Sequence, residues 1–334
     1  MVDGGLVKEK TVLMKNKPMY FHISFFPCGT RVAILSTVIS LFYYSTIPLL
    51  HAAFKETSWG VRPGGMGDAY TAVSDDVNAV YHNPAGVTQS DFSEMTFAHS
   101  KPFMGLDETN LNTNMFAAIM PVSDLGYWGT GWSSLRGPVY RQDDVSVLLA
   151  TPLNRWVSAM TPEVSLGVNL HYLHHRFDLD TLTRSDSVFA GGRSKSALSV
   201  DAGFWIQPDP QTVPGLSLGL SAKNINQPNA GLASEDKAYR ETSVGVAYQF
   251  RRGLITADMV KRRRETSWAA GFEKRFFKRF SFRGGANPTT GTMGLGYRRR
   301  IGKKKYMEFD YAYGFPLSVD ETGGSHRASV GLRF

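Results

Sequence analysis

Four clusters of side chains in the chain are able to do chemistry. His171, His174 and His175 offer imidazoles close in sequence, as metal ligands would be. On an extended strand, however, His171 and His175 share a face about 13 Å apart. That is too far for one zinc ion unless the chain bends, so the spacing points to a pore-lining or rim role. Asp75-Asp76 offers two carboxylates, but no calcium-loop spacing follows them. They read as capping and hydrogen-bonding groups of a compact segment. Gly65-Met66-Gly67 lacks the third glycine and the preceding apolar strand of a dinucleotide loop. Lys261-Arg262-Arg263-Arg264 suits either a solvated loop or bidentate contact with anionic lipid phosphates. No Ser–His–acid order has a motif around it, so a barrel enzyme is the weakest reading. The sequence assigns no catalytic residue, no metal and no cofactor.

The elements that would position these groups begin after an apolar leader. Residues 32–50 are almost continuously apolar and follow Lys8, Lys10, Lys15, Lys17 and Arg31, with Ala52-Ala53 behind them. A basic region, an apolar core and small residues make a secretory signal over residues 1–53, the alternative being an uncleaved inner-membrane anchor. Its removal takes five of the 37 basic and two of the 29 acidic residues, so the formal charge falls from +8 to +5. That balance gives no support to a nucleic-acid partner. The single cysteine, Cys28, leaves as well, which excludes a disulfide scaffold. A mean hydropathy of −0.21 argues against a bundle of spanning helices.

From Glu94 onward the apolar pattern has a period of two. Leu166, Val168, Leu170 and Tyr172 alternate with Gly167, Asn169 and His171, and Val244, Val246, Tyr248 and Phe250 alternate with Gly245, Ala247 and Gln249. Fourteen such runs begin near Glu94, Thr113, Leu125, Asp144, Glu163, Leu198, Gly215, Arg240, Leu254, Glu265, Phe280, Thr290, Lys305 and Ser325. Most are nine to eleven residues long, the length of a tilted strand crossing a bilayer. One face of each is so rich in Gly, Ser, Asn and acids that a barrel, apolar outside and polar inside, fits better than a secreted sandwich or solenoid. The expectation is an all-β fold: a transmembrane antiparallel up-and-down barrel over residues 94–334. Aromatics at run ends, such as Tyr127, Trp128, Tyr248, Phe276 and Tyr297, fit an interfacial girdle. Asp201, Asp258, Glu273, Arg283, Glu308 and Asp310 fall on the inward face. Long connections (101–112, 176–197, 226–239, 314–324) fall on one side and short ones (122–124, 251–253, 277–279, 300–304) on the other, with 152–162 the exception.

Residues 54–93 break the strand pattern. Gly64, Gly65 and Gly67 suggest tight turns, residues 68–73 and 77–81 suggest short helical pieces with Ser74 or Asp75 as N-cap, and Pro84 holds Asn83 extended before Gly86 ends the turn. The run Met66-Gly67-Asp68-Ala69-Tyr70-Thr71-Ala72-Val73, then Asp75-Asp76, Ala79-Val80-Tyr81 and Asn83-Pro84-Ala85-Gly86, resembles the N-terminal signature of the PorV/PorQ family. That family is related to the FadL-type transporters of fatty acids and hydrocarbons. Residues 215–226, ending Asn224-Ile225-Asn226, resemble the family's strand ending in Asn-(Ile/Leu)-(Gly/Asn). The resemblance implies a fourteen-stranded outer-membrane barrel with residues 54–93 folded into the lumen as a plug. It implies passage of small hydrophobic compounds, or a type IX secretion role with secreted protein cargo. Outer-membrane lipid and lipopolysaccharide are then the surroundings, and Lys261 to Arg264 would face lipopolysaccharide phosphates. The terminal strand places Ala328, Val330, Leu332 and Phe334 on one face, which resembles the signal read by the barrel-assembly machinery, with Phe334 as its last residue. The leader reading makes a direct prediction: N-terminal sequencing of the exported protein will give a start near Ala53 or Phe54.

Overall fold

The computed structural model describes residues 59–105, 110–122, 126–155, 163–179, 185–317 and 322–334. The expected leader over residues 1–53, its expected cleavage site and the connections at 123–125 and 156–162 lie outside the described residues. Fourteen strands run in chain order: β1 Glu94–Lys101, β2 Asn112–Val122, β3 Gly126–Arg136, β4 Tyr140–Pro152, β5 Glu163–Phe177, β6 Ser194–Gln207 and β7 Leu216–Lys223. They continue as β8 Glu241–Phe250, β9 Gly253–Arg262, β10 Glu265–Phe276, β11 Phe280–Ala286, β12 Thr290–Arg300, β13 Tyr306–Pro316 and β14 Ser325–Arg333. Each pairs antiparallel with its sequence neighbour, and β1 meets β14 in a register running from Glu94 opposite Arg333 to Lys101 opposite His326. Closure leaves no unpaired strand edge, the condition for β structure in hydrocarbon.

The period of two becomes two faces. On β4, Val145, Val147 and Leu149 point outward and are exposed, while Ser146 and Leu148 point inward and are buried. Leu170, Leu220, Val246, Met259, Phe282 and Leu295 continue the exposed apolar exterior on other strands. Asn169, Asp201, Ser221, Asp258, Glu273 and Arg283 are buried on the inside. This is the polarity of a transmembrane barrel, inverted relative to a soluble domain. β4 and β6 each begin four residues before their apolar runs. The early residues, Arg141 to Asp143 and Ser194 to Ala197, carry no continuous apolar face but are paired to β5, itself 15 residues long. Hydrogen bonding therefore extends past the apolar zone, and periodicity alone cannot mark those strand ends. The longer connections, 178–193 and 224–240, lie at one end, and the short turns 251–252, 277–279 and 301–305 lie at the other.

Residues 59–90 pack against the inward faces of the strands. They form two single-turn helices, α1 (Val61–Gly64) and α2 (Ala79–His82), and a 3₁₀ helix over Pro84–Gln89. This corrects three sequence expectations. Residues 68–73 are turns, because Gly67, Asp68 and Ser74 take positive φ values of 67°, 67° and 29° and interrupt any helix. The α2 N-cap is Asn78, neither Ser74 nor Asp75, although Asp76 accepts its backbone N–H at 2.9 Å. Gly86 lies inside the 3₁₀ helix and does not end it. Trp59, Val77, Val80 and Val87 form one apolar cluster with Met115, Ile119 and Leu148 of the wall; Met66, Tyr70 and Val73 form another with Ala247.

The two-faced wall predicts that Val147→Arg, at an outward position in the middle of the apolar run, destabilises the barrel in lipid vesicles by about 2–4 kcal/mol. Urea unfolding from vesicles measures it.

Candidate functional site

Arg62 of α1 sits at the centre of the lumen's charge. Its guanidinium reaches Glu273 on β10 at 2.9 and 3.3 Å, Asp76 at 2.8 Å, Asp75 at 2.5 Å and the Tyr70 hydroxyl at 2.7 Å. Glu273 also accepts from Arg283 of β11 at 2.7 Å and from Arg275 at 3.0 Å. Arg283 continues to Asp310 of β13 at 2.6 Å. Next to this cluster Glu308 is held by Arg298 and Arg333, and Arg333 pairs with Glu94 at 2.9 Å. Buried charges persist only when paired and hydrogen-bonded. Burial opposes ionisation of Asp76, but the Arg62 guanidinium outweighs it and holds the carboxyl below its ordinary range. Burial pushes the Tyr70 hydroxyl well above its ordinary value, so it stays a donor.

Two further contacts tie the segment to the wall. Asp258 of β9 accepts the backbone N–H groups of Tyr70 and Thr71, both at 2.8 Å. Asn83, fully buried, donates to Thr71 O at 2.8 Å and to Phe204 O of β6 at 3.1 Å, and its Oδ1 accepts from Ala85 N at 3.2 Å. The extended φ of −150° that Pro84 enforces on Asn83 aims the amide into the wall. Around this contact the wall is made of glycine. A Cβ at Gly167 would meet the Pro84 backbone, at Gly203 the Asn83 amide, at Gly219 the Thr71 carbonyl, and at Gly271 and Gly285 the Met66 backbone. Inward glycines on β5, β6, β7, β10 and β11 thus let the segment's backbone lie directly on the sheet.

The residues singled out from sequence separate into groups. Gly64, Gly65, Met66 and Gly67 lie against β11, β12 and β14 through Arg327, Gly294, Gly285 and Ala286. Asp75 and Asp76 join the Arg62 cluster, Asp68 is half-buried, and Pro84, Ala85 and Gly86 are buried beside β5 and β6. Glu273, Arg283, Glu308 and Asp310 come together, whereas Asp201 lies apart with His171, whose ring is 3.0 Å from both Asp144 and Asp201. His175 contacts the Ala230 carbonyl of the β7–β8 connection at 2.7 Å. Among the described residues no cluster is able to hold a metal ion. Phe334 is half-exposed, and its backbone pairs with Ser93. Sequence reasoning gave no role to Arg62, although its position beside glycines in an otherwise uncharged run was a signal. It also missed Trp205, whose indole donates to Ala72 O at 2.9 Å.

Beside the cluster, at the short-turn end, a cavity of about 320 Å³ opens between segment and wall. Val73, Trp205, Leu216 and Leu254 give it an apolar side, and Arg62, Asp75, Glu273, Arg251, Arg252, Arg275, Lys278 and Arg298 a larger charged one.

No protein-family model and no curated protein matches the chain. Solved structures do match. The Ralstonia pickettii toluene transporter TbuX aligns over 84% of this chain and 99% of its own, with a TM-score of 0.54 and 12% identity. The Pseudomonas putida toluene transporter TodX gives 84%, 98%, 0.52 and 11%, and a Pseudomonas aeruginosa FadL homologue gives 85%, 98%, 0.51 and 12%. The chain shares the fold of these barrels. At such identity the likeness is one of architecture, and the contacts above are this chain's own.

The glycine-lined wall yields a test. Gly203→Val adds a side chain where Asn83 must sit, and is expected to expose residues 59–90 to protease while the barrel stays heat-modifiable. Gly191→Val, with nothing within 4 Å, is expected to change nothing.

Proposed function

We propose that the protein is a non-enzymatic outer-membrane channel of the FadL-like type. It passes small hydrophobic compounds through a lumen that residues 59–90 plug. The observation that carries this reading is the filled lumen: a closed barrel with an apolar exterior, occupied by a charge-anchored segment beside a cavity of about 320 Å³ that has one apolar side. Fourteen strands enclose more space than inward side chains fill, since about eight strands already reach that limit. A segment that fills the remainder separates a gated passage from an open pore. The cavity matches the lower end of small-molecule sites, about 300–1,000 Å³. It is too small for a polypeptide cargo, which favours solute passage over the secretion reading. The toluene transporters of like fold support the same class of cargo. The apolar leader and the aromatic exterior support the outer membrane as location, with the short turns in the periplasm and the long connections outside.

Deletion of residues 60–87 is expected to raise single-channel conductance several-fold in planar bilayers while the barrel still forms. Equal conductance of deleted and intact protein would remove the segment from this role.

A further inference from the structure

The short turns on one arc of the barrel are strongly basic. Arg251 and Arg252 join β8 to β9, Lys278 and Arg279 join β10 to β11, and Lys303 and Lys304 join β12 to β13. All six are exposed, and among the described residues none forms an ion pair with a carboxylate. The acids that these strands carry near that end, Glu273 and Glu308, face inward and are held by other arginines. The six charges therefore have no carboxylate partner within the described protein, and three of them, Arg251, Arg252 and Lys278, also line the cavity at this end.

The same arc carries apolar side chains at the matching level. Phe250, Phe276, Phe280 and Phe309 point outward and are exposed. Phe277, in the β10–β11 turn itself, is 83% exposed. Its φ of 47° and that of 61° at Lys278 are conformations that side-chain-bearing residues adopt at a cost. The turn thus holds a phenyl group out from the barrel between cations. The Lys274 ammonium lies 5.4 Å from the centre of the Phe250 ring, joining the aromatic row to the basic one. Aromatic rings at one level with cations just beyond them are the arrangement that suits a bilayer interface. A ligand touching both rows must lie along the outside of the wall and span three turns, as lipids do.

We propose that this arc is a binding surface for anionic glycerophospholipids of the leaflet facing the short turns. The phosphates would sit on the six cations and Phe277 at the glycerol level. The proposal rests on the outer-membrane reading above but adds a lipid class and a side to it.

Native mass spectrometry of the delipidated barrel tests it, with equimolar phosphatidylglycerol and phosphatidylcholine as probes. The expected preference for phosphatidylglycerol is about fivefold or more, the order that one cation near an anionic surface contributes. Replacing the six cations with Gln should bring the ratio close to one. The triple variant Lys261→Gln, Arg263→Gln, Arg264→Gln at the opposite end should keep it. Equal binding of the two lipids by the wild type, survival of the preference in the six-fold variant, or its loss only in the opposite-end variant would overturn the proposal. If the six-fold variant does not fold, the wild-type preference is read between 50 and 300 mM salt, where a charge-based preference must collapse and any other would persist. Insertion into phosphatidylcholine vesicles, read by heat-modifiability, tests the membrane reading separately.

Discussion

The arrangement of the lumen depends on a single cation. Arg62 brings a full positive charge into a space where Asp75, Asp76 and Glu273 converge; Asp76 and Glu273 are almost fully buried there, and Asp75 is partly exposed. Asp75 and Asp76 belong to the same segment as Arg62, and Glu273 belongs to the wall. The guanidinium therefore does two jobs at once: it folds the segment on itself and fixes it to β10. Glu273 passes the constraint to Arg283 and Asp310, so β10, β11 and β13 are tied to the same charge. Removing one partner from such a cluster leaves an uncompensated buried charge, at a cost of about 3–5 kcal/mol.

Charge alone would not seat the segment, because a charged group attracts from many geometries. The seat is fixed by close approach. Glycines at inward positions remove the side chains that would hold the segment's backbone off the sheet, and Asn83 and Asp258 then satisfy the backbone groups the approach buries. Each inward glycine loses the packing a larger side chain would give, and the segment supplies it instead. Wall and segment are complementary surfaces of one core, with the apolar positions Met115, Ile119 and Leu148 on the side facing α2.

Much of the barrel was legible in the sequence because a period of two leaves a mark in every strand: the starts of β1, β5, β10, β11, β12 and β14 coincide with the apolar runs. The ends of β4 and β6 were not legible, since there the strands are held by pairing and not by an apolar face. The inward position of Glu273 and Arg283 followed from alternation with Phe272 and Phe282. Their meeting did not, because which strands' charges converge depends on register and shear around the closed sheet. Arg62 was hidden for a related reason: its place in an uncharged, glycine-rich run marks it as unusual but does not say which carboxylates it will meet. The turn at 68–73 was misread as helix because the positive φ values at Asp68 and Ser74 that interrupt it leave no mark in the apolar pattern.

The central claim is that Arg62 and Glu273 act as one unit holding the segment in place. A double-mutant cycle on the chain from residue 54 onward, which lacks Cys28 and carries Ser74→Cys as its sole cysteine, tests it most directly. Ser74 is fully buried, so the thiol's labelling rate reports the free energy of lifting the segment. The cycle compares Arg62→Met, Glu273→Gln and the pair in that background. The account predicts a coupling of at least about 1 kcal/mol, because the Arg62–Glu273 contact is lost in either single variant and only once in the pair, while Asp75, Asp76, Arg275 and Arg283 remain as partners. Effects that add to within about 0.5 kcal/mol would contradict it.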